Sequence, residues 1–498
     1  MFQRVAVIGA GPSGVTSIKG CLDEGLEPTC FESSDDIGGL WRFKEKPEPG
    51  RANIYKSVII NSSKEMMSFS DFPPPADLSN NMHHSEVLLH LRLYAQTFNL
   101  LPHIRFQTTV ISVRQTTNFE VPGQWEVETE SREGQRETRV FDAVMVCTGH
   151  FTQPHLPLRD FPIESFRAKY FHSWEYCSAE GLEGKRVVVI GIGNSGGDIA
   201  VDVSRVAEKL YLSTRRGAWI LNRVWDNGIP VDLFSNRATG FLRKNLPFGV
   251  FCSLRESRLN KKFDHALYNL KPRHVFATGY QFSFPFLASQ VVSVSNNKAS
   301  LYKYVFPPEL EHPTLAIIGL VQPLGSIMAI SKLQARWATR VFKCIKLPSL
   351  VVMLKDIQWK QAAMAQYVTS QRHTIQVDYV SYMDEVAELV GVQPNIPRML
   401  LTDPKLGMNV LFGPCTPYQY RLRGPGKWAG ARQAILTQRE RVTQPMQTRQ
   451  CDEPKPRRSY KWPLLLSAAA LSFTVYVKRN NLPAFLQDPA SLLDRVKI

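Results

Sequence analysis

One glycine pattern, G-x-G-x-x-G, occurs twice in this chain and constrains its fold more than any other feature. The first copy spans Gly9–Gly14 and the second spans Gly191–Gly196. Each copy follows an apolar run typical of a buried strand, Val5–Ile8 and Val187–Ile190, and each opens a segment suited to a helix. In this setting the first glycine makes a tight turn, the second lets the backbone approach a pyrophosphate, and the third lets helix and strand pack closely. The sequence therefore predicts an α/β protein with two Rossmann-like dinucleotide-binding domains.

The residues that follow the second strand of each unit distinguish the two nucleotides. Glu32 comes directly after the strand-like run Pro28–Phe31, where an acid hydrogen-bonds a ribose 2′-hydroxyl, so the first site suits FAD or NAD. The equivalent strand of the second unit, Leu210–Ser213, leads to Arg215 and Arg216 and to no acid. Arginine here accommodates a 2′-phosphate, which favours NADP, although two solvated surface charges are the alternative interpretation. Two such sites indicate an enzyme that passes electrons between cofactors.

Composition excludes several other classes of protein. The 498-residue chain has a formal net charge of +16, but no basic run is interleaved with aromatic residues, so nucleic acid is a poor explanation for the charge. Anionic cofactors and a cytosolic membrane face explain it more economically. None of the 8 cysteines forms a C-x-x-C pair or has metal-ligand spacing with histidine. We therefore expect no metal site, and a disulfide reductase is disfavoured.

The C-terminal region contains an apolar segment of unusual length. Trp462–Val477 is a run of 16 residues without a charge. As a helix it is about 24 Å long, short of the roughly 30 Å hydrocarbon core, so a tail anchor with local thinning or an interfacial segment fits better than a tilted span. Basic residues flank the run on both sides, but those that precede it favour a cytosolic catalytic domain. A buried core helix is the alternative interpretation.

Further motifs follow in a fixed order along the chain. They are Glu32–Trp41, Tyr55–Ser63, Val146–Gly149, the set Phe166, His172 and Tyr176 of an F-x-G-x-x-x-H-x-x-x-Y pattern, Phe276–Tyr280 and Phe412–Pro417. On these motifs the sequence resembles the flavin-containing monooxygenases of animals, the dimethylaniline N-oxide-forming type, over nearly the whole core and the tail. The stretches Ser213–Arg223 and Ser370–Gln376 are most similar to form 5 of that family.

The resemblance implies an FAD- and NADPH-dependent monooxygenase on the endoplasmic reticulum membrane, with its catalytic domain facing the cytosol. In that family NADPH reduces FAD, dioxygen adds to the reduced flavin as a C4a-hydroperoxide, and NADP⁺ stays bound and shields it. A soft nucleophile, an amine nitrogen or a sulfide sulfur, then takes the distal oxygen, and form 5 relatives prefer Baeyer–Villiger insertion beside a ketone. The expected substrates are xenobiotic-type small molecules, and the protein supplies orientation and a dry pocket.

The same resemblance assigns the site residues. Asn61 matches the family's main catalytic side chain, whose amide donates to the flavin or hydroperoxide and accepts from NADP; without the resemblance, an Asx turn is the preferred interpretation. Asp198 is unexpected beside a phosphate, so we expect it to cap or pack its helix. The implied FAD contacts are Gly9, Ala10, Gly11, Pro12, Ser13, Gly14, Glu32, Leu40, Trp41, Asn61 and Ser62, and the implied NADP contacts are Ile60, Gly191, Gly193, Ser195, Gly196, Gly197, Asp198, Arg215 and Arg216.

The resemblance also suggests domain boundaries. We expect the FAD-binding domain in two parts, over residues 1–155 and 276–445, the second part including the C-terminal core. The NADP-binding domain spans 156–275. A linker over 446–461, the membrane anchor over 462–477 and a tail over 478–498 complete the chain.

The chain departs from the family pattern at one residue and in one segment. Ala168 stands where the pattern has glycine, which costs about 1 kcal/mol or more only if that position requires a positive φ. In the segment, 134 positions separate Gly14 from the Thr148 that ends the returning strand of the first unit. Only 82 separate Gly196 from Thr278, which is 52 fewer. Proline and basic residues also occupy the start of that second returning strand.

We therefore expect an NADP domain that lacks about 50 residues. Its remaining strands should have open edges and exposed apolar faces. Besides an active monooxygenase, this leaves a catalytically impaired, membrane-anchored FAD-binding protein and an uncoupled NADPH oxidase as alternatives.

Overall fold

The computed structural model describes residues 3–156, 166–214, 217–225, 227–245, 248–261, 263–268, 270, 280–323, 325–365 and 374–447. Arg215, Arg216, the second Thr-Gly at 278–279, the predicted anchor at 462–477 and the tail lie outside these residues, as does nearly all of the linker. Among the helices of the described ranges, none has the length and apolar character needed to cross a membrane. The described residues up to Met446 form one compact unit.

Strands and helices alternate through both predicted nucleotide-binding regions, and helices dominate after residue 326. The strands are β1 (Arg4–Ile8), β2 (Glu27–Phe31), β3 (Ile104–Arg105), β4 (Thr108–Gln115), β5 (Trp125–Ser131), β6 (Arg136–Phe141), β7 (Ala143–Val146), β8 (Gln153–Pro154), β9 (Arg186–Ile190), β10 (Lys209–Ser213), β11 (Tyr280–Gln281), β12 (Val294–Ser295), β13 (Lys298–Ala299), β14 (Leu315–Ile317), β15 (Gln322–Pro323) and β16 (Gln376–Val377). The helices are α1 (Pro12–Asp23), α2 (Lys64–Met67), α3 (His84–Thr97), α4 (Asn194–Val203), α5 (Arg237–Asn245), α6 (Phe248–Asn260), α7 (Ile327–Lys343), α8 (Leu350–Ala365), α9 (Tyr379–Val390), α10 (Ile396–Thr402), α11 (Pro404–Phe412) and α12 (Ala431–Thr443).

The first fingerprint belongs to a parallel sheet with the strand order β14-β7-β1-β2-β3. Val7 of β1 pairs with Cys30 on one side and Met145 on the other, so β1 is central and its apolar run is buried. The strands predicted at Val5–Ile8 and Pro28–Phe31 and the helix after the first fingerprint are confirmed. β14 joins this sheet although it lies beyond the second fingerprint in sequence, because the chain returns to the first unit.

The second fingerprint lies in a smaller unit made of β9, α4 and β10. β9 and β10 pair in parallel, which confirms the strands predicted at Val187–Ile190 and Leu210–Ser213, and within the described residues these two strands are the whole sheet. Val188 and Ile190 are 58% and 48% exposed, whereas Ile8, at the position of Ile190 in the first copy, is 5% exposed. As far as the described residues show, this sheet has the open edges and exposed apolar face that were expected.

The rest of the described chain packs around the first sheet. β4, β5 and β6 form an antiparallel sheet. The largest apolar core lies where α1, α3, α7 and α9 meet the parallel sheet. A positive φ outside glycine occurs, among described residues, only at Asn99, Gln107, Asn296, Asn297, Lys303 and Tyr304. Ala168 does not have a positive φ, so the strain considered for its substitution does not arise.

Candidate active site

The two fingerprint turns have the same geometry. Gly9 and Gly191 both have a left-handed backbone, with φ of +95° and +102°. A Cβ atom on Gly14 would lie 1.8 Å from the carbonyl oxygen of Gly9, and one on Gly196 would lie 2.3 Å from that of Gly191. Both positions therefore admit only glycine, because a side chain would drive the helix away from the turn.

Both helices that follow these turns begin with uncapped N–H groups. The N-cap of α1 is Gly11 and that of α4 is Gly193, and neither helix has a side-chain cap. Such N–H groups are available to a phosphate, and the helix dipole favours its negative charge. The other predicted fingerprint residues lie in the same turns or in the first helical turn: Ala10, Pro12, Ser13, Ser195 and Gly197.

Glu32 is buried at the end of β2 and hydrogen-bonds directly to the first fingerprint. Its Oε2 accepts from the backbone N–H of Ala10 at 2.7 Å, while its Oε1 accepts from the N–H of Ser34 at 2.9 Å and from Arg51 Nη1 at 2.9 Å. Burial raises the pKa of the Glu32 carboxyl, but the Ala10 and Ser34 hydrogen bonds and the Arg51 charge outweigh it, so the pKa is lowered overall. The side chain is thus a carboxylate, as a ribose-binding acid requires.

Leu40 and Trp41 directly follow two glycines that lie against the first fingerprint. They are half-buried in a short helical turn that begins at Gly39. The N–H of Gly38 donates to the carbonyl oxygen of Ala10 at 3.1 Å. A Cβ atom on Gly39 would lie 3.0 Å from the Cα of Gly11. The structure therefore brings the 40–41 pair and the glycine-rich turn together.

Asn61 is exposed in a turn between buried residues. Ile60 is buried, and its N–H donates to the carbonyl oxygen of Met82 at 3.0 Å. The Asn81 side chain donates to the carbonyl oxygens of Ile60 and Ser62 at 3.3 and 3.4 Å. The segment before α3 therefore holds the backbone on both sides of Asn61 while the Asn61 side chain points outward.

Arg223 connects Asn61 with the second fingerprint helix. Its Nε donates to Asn61 Oδ1 at 3.0 Å, and its Nη2 donates to the carbonyl oxygen of Ile59 at 3.2 Å and to both carboxylate oxygens of Asp198 at 3.1 Å. The Tyr55 hydroxyl also donates to Asp198 at 3.0 Å, and burial raises the pKa of that hydroxyl, which keeps it protonated. Asp198 is thus compensated by a cation and a hydroxyl, so it packs its helix against the Asn61 turn.

A second acid on α4 makes similar contacts one turn further on. Asp202 accepts from Ser57 Oγ at 3.0 Å and from the Tyr176 hydroxyl at 2.8 Å. Tyr176 and His172 belong to the identifying pattern, and His172 Nδ1 accepts from the N–H of Trp174 at 3.0 Å. Tyr176 therefore contacts α4 directly, whereas His172 accepts a hydrogen bond within its own loop.

Sequence reasoning did not select Arg223 as a site residue. Its partners Asn61 and Asp198 lie 162 and 25 positions away. No spacing rule connects such residues, so only the folded chain reveals the contact.

The residues present fit both cofactors. The first unit has a glycine-rich turn and free helical N–H groups suited to a pyrophosphate, and an ionised acid suited to the ribose of FAD. The second unit has the same glycine-rich turn and free N–H groups, which suit the pyrophosphate of NADP. We call each glycine-rich turn with its free N–H groups a cradle. Arg215 and Arg216, expected at the 2′-phosphate, lie outside the described residues. Within the described ranges no group of three or more His, Cys, Asp or Glu side chains is arranged to hold a metal ion.

Comparison with known proteins identifies the family. The profile of the flavin-binding monooxygenase-like family matches residues 2–275 and 273–479. The chain belongs to this family. It is therefore a monooxygenase that depends on FAD and NADPH. It is 53% identical to flavin-containing monooxygenase 5 of Homo sapiens and 48% identical to dimethylaniline monooxygenase [N-oxide-forming] 2 of Cavia porcellus, and each alignment includes 90% of this chain and 94% of the relative.

Solved structures confirm the fold of this monooxygenase. S-allyl-L-cysteine S-oxygenase from Allium sativum superimposes with a TM-score of 0.62 at 24% identity, covering 89% of this chain and 99% of the neighbour. Tmm from Pelagibacter sp. strain HTCC7211 gives a TM-score of 0.56 at 20% identity, covering 78% and 86%.

The alignments also bear on the length of the second unit. The alignment with the human relative spans 501 positions, but it includes only 90% of the 498 residues of this chain, which is about 448. The difference is about 53 positions, at which the relative has a residue and this chain has a gap. The two matches to the family profile meet at residues 273–275, where the second returning strand is expected. Both observations support a shortened NADP domain, which stays a prediction.

Proposed function

We propose that this monooxygenase transfers one oxygen atom of dioxygen to the amine nitrogen or sulfide sulfur of small xenobiotic-type molecules, or inserts it beside a ketone carbonyl. FAD, once reduced by NADPH, supplies the chemistry that activates dioxygen. The observation that carries the proposal is the hydrogen-bonded series Asn61–Arg223–Asp198, which connects the turn that presents Asn61 with the helix that follows the second fingerprint. The names of the relatives, an amine oxygenase among them, support the substrate class.

In this proposal the side chains orient the cofactors and take little part in proton transfer. Glu32 binds the FAD ribose, and the free N–H groups of α1 and α4 bind the two pyrophosphates. Arg215 and Arg216 bind the 2′-phosphate of NADPH. Asn61 is the catalytic residue, since its carboxamide accepts from Arg223 through Oδ1 and keeps its NH₂ group to donate to the reacting cofactor.

The Asn61→Asp variant tests this assignment. It keeps the size of the side chain and an acceptor for Arg223 but removes the NH₂ donor. We expect FAD to stay bound and to be bleached by NADPH, while product per NADPH falls and released peroxide rises. Asn118→Asp makes the same change at an exposed loop residue and should leave both yields unchanged. Full product yield from Asn61→Asp would contradict the assignment.

The flavin spectrum of the purified full chain, before and after anaerobic addition of NADPH, tests the function as a whole. Bleaching of bound FAD, followed by oxygenated product from an amine, a sulfide or a ketone, supports the proposal. Bleaching that yields only peroxide identifies an uncoupled NADPH oxidase. A yellow protein that NADPH does not bleach identifies an impaired FAD-binding protein.

The impaired and uncoupled alternatives have a specific observation in their favour. β9 and β10 precede and follow the second fingerprint helix, yet Val188, Ile190 and Tyr211 on one face of these strands are about half-exposed, and a complete domain would cover them. We propose that residues 156–275 form this shortened NADP domain and that 1–155 and 276–445 form the FAD domain. The position of β14 in the same sheet as β1 supports the second range.

We further propose that residues 462–477 attach the enzyme to the endoplasmic reticulum membrane, with 446–461 as a linker, 478–498 as a tail and the catalytic domain in the cytosol. The uncharged 16-residue run supports this proposal. Flotation of the full chain with liposomes tests it. The parent should float and Leu471→Arg, in the middle of the run, should not, because a central arginine is costly in lipid. Equal flotation of both proteins would contradict the proposal.

A further inference from the structure

The segment from residue 231 to 237 lies between the Asn61 turn and the C-terminal core. Its end is held by Arg237, whose Nη2 and Nε donate to the two carboxylate oxygens of Asp384 on α9 at 2.7 and 2.9 Å. Asn236 Nδ2 donates to the carbonyl oxygen of Phe412, the last residue of α11, at 3.0 Å. The segment is therefore fixed to the core by residues outside the β9–β10 sheet.

The other end of this segment contacts the Asn61 turn through one carboxyl group. Asp232 Oδ2 accepts a hydrogen bond from the backbone N–H of Ser63 at 2.6 Å, and Ser63 is only two residues after Asn61. Asp232 Oδ1 is buried and has no hydrogen-bond partner among the described residues. The Ser63 hydrogen bond is thus the contact through which the Asp232 carboxyl constrains the backbone two residues after Asn61.

The electrostatic environment of Asp232 agrees with this unusual position. Burial raises the pKa of the Asp232 carboxyl to about 6, even though the Ser63 hydrogen bond favours the carboxylate. Near neutral pH the group therefore accepts from Ser63 as an ion, which makes the hydrogen bond shorter and stronger than a neutral one.

The Asn61 turn thus has supports on two sides. Met82 and Asn81 hold Ile60 and Ser62 from the segment before α3. Asp232 holds Ser63 from the segment 231–237. Since a displacement of 1 Å at a catalytic group is enough to cost a large part of its effect, the support at Ser63 has a direct functional consequence.

We propose that Asp232 is a positioning residue for Asn61, which by accepting the Ser63 N–H fixes the turn that presents the Asn61 carboxamide to the cofactors. This inference rests on the catalytic role proposed for Asn61. The segment that carries Asp232 is fixed to the C-terminal core by the ion pair between Arg237 and Asp384. Asp232 therefore keeps the Asn61 turn in place independently of the exposed β9–β10 sheet.

Two substitutions and one control test the inference in the full chain loaded with FAD. Asp232→Ala removes the acceptor, and Asp232→Asn restores a neutral one of the same size. Asn236→Ala removes a hydrogen bond between the same segment and the core without touching residues 59–63. Each protein is examined for amide hydrogen exchange at Ser63, for the visible circular dichroism of bound FAD, and for the fraction of consumed NADPH that appears as peroxide.

We expect Asp232→Ala to raise Ser63 exchange about tenfold, the effect of losing one buried hydrogen bond. It should also change the flavin dichroism relative to the parent and raise the peroxide fraction, and Asp232→Asn should restore all three readouts toward the parent. Asn236→Ala should lower thermal stability and leave the three readouts unchanged. The inference would be overturned if Asp232→Ala had the same Ser63 exchange and flavin dichroism as the parent. It would also be overturned if Asn236→Ala changed these readouts as much as Asp232→Ala does.

The outcome is separable from that of the proposed function. Exchange and flavin dichroism are measured without NADPH, so they decide the role of Asp232 even if the parent fails to turn over. Failure of NADPH to bleach the parent flavin would refute the proposed function alone.

Discussion

The third glycine of the second fingerprint provides a quantitative test of whether the shortened NADP unit works. A Cβ atom in Gly196→Ala would lie 2.3 Å from the carbonyl oxygen of Gly191 and 3.1 Å from its carbonyl carbon. Both are backbone atoms, so the turn and α4 must separate by about 0.7 Å or more to reach a 3.0 Å contact. Overpacking of this kind costs about 1–3 kcal/mol, which is about a 5- to 150-fold loss of affinity if the cost falls on the bound geometry.

The adjacent glycine is a matched control. Gly197 lies in the same helical turn, and nothing lies within 4 Å of the Cβ that Gly197→Ala would add. Alanine is a better helix former, so this variant should be more stable by about 0.5–1 kcal/mol. Gly197 is itself an implied NADP contact, but alanine keeps its backbone and adds a Cβ that meets nothing within 4 Å. We therefore expect Gly197→Ala to bind NADP⁺ like the parent and Gly196→Ala to bind it about 5- to 150-fold more weakly, with FAD retained in both.

The assay is a titration of FAD-loaded protein with NADP⁺, followed by the rate of anaerobic bleaching by NADPH. Gly14→Ala, whose Cβ would lie 1.8 Å from the Gly9 carbonyl oxygen, should instead lose FAD. Equal NADP⁺ affinity in the parent, Gly196→Ala and Gly197→Ala would show that the second cradle does not bind the nucleotide as its geometry requires, and the reasoning would be refuted.

Three further predictions concern stability, measured by urea unfolding. Ile8→Ala should lower the free energy of unfolding by about 2–5 kcal/mol because Ile8 is buried. Ile190→Ala, at the matching position of the exposed sheet, should lower it by less than about 1 kcal/mol. Similar losses in both variants would show that the second sheet is covered in solution. Burial lowers the pKa of His90 to about 4, below its unfolded value near 6.5. The neutral imidazole therefore contributes its full stabilisation above pH 6.5 and loses it as the pH falls. On account of this group the free energy of unfolding should fall by about 2 kcal/mol between pH 7 and pH 5. His90→Phe should remove that part of the pH dependence, and an unchanged slope would contradict the assignment. Arg237→Met should cost about 3 kcal/mol because it removes the cation from the largely buried Asp384 carboxylate, which keeps only the Tyr420 hydroxyl as a donor among the hydrogen bonds described. Arg243→Met breaks a half-exposed ion pair and should cost under about 1 kcal/mol, and equal costs would contradict the burial argument.

The elements that sequence analysis predicted correctly are those specified by neighbouring residues. β1, β2, β9 and β10 and the helices α1 and α4 follow from apolar runs and glycines at short spacing, because the turn geometry is local. Glu32 was found by its position after β2, and its contact with Ala10 follows from the parallel pairing of β1 and β2. The exposed faces of β9 and β10 were expected from a difference in length between two repeats of one unit.

Residue types at short spacing were sufficient to predict the two glycine-rich turns, the acid after β2 and the family. How the Asn61 turn is held could be seen only in the folded chain. Arg223 and Asp232 reach that turn across 162 and 169 positions of chain. The positions of those side chains depend on packing against a distant core, and no local pattern records which polar groups the fold brings within hydrogen-bonding distance.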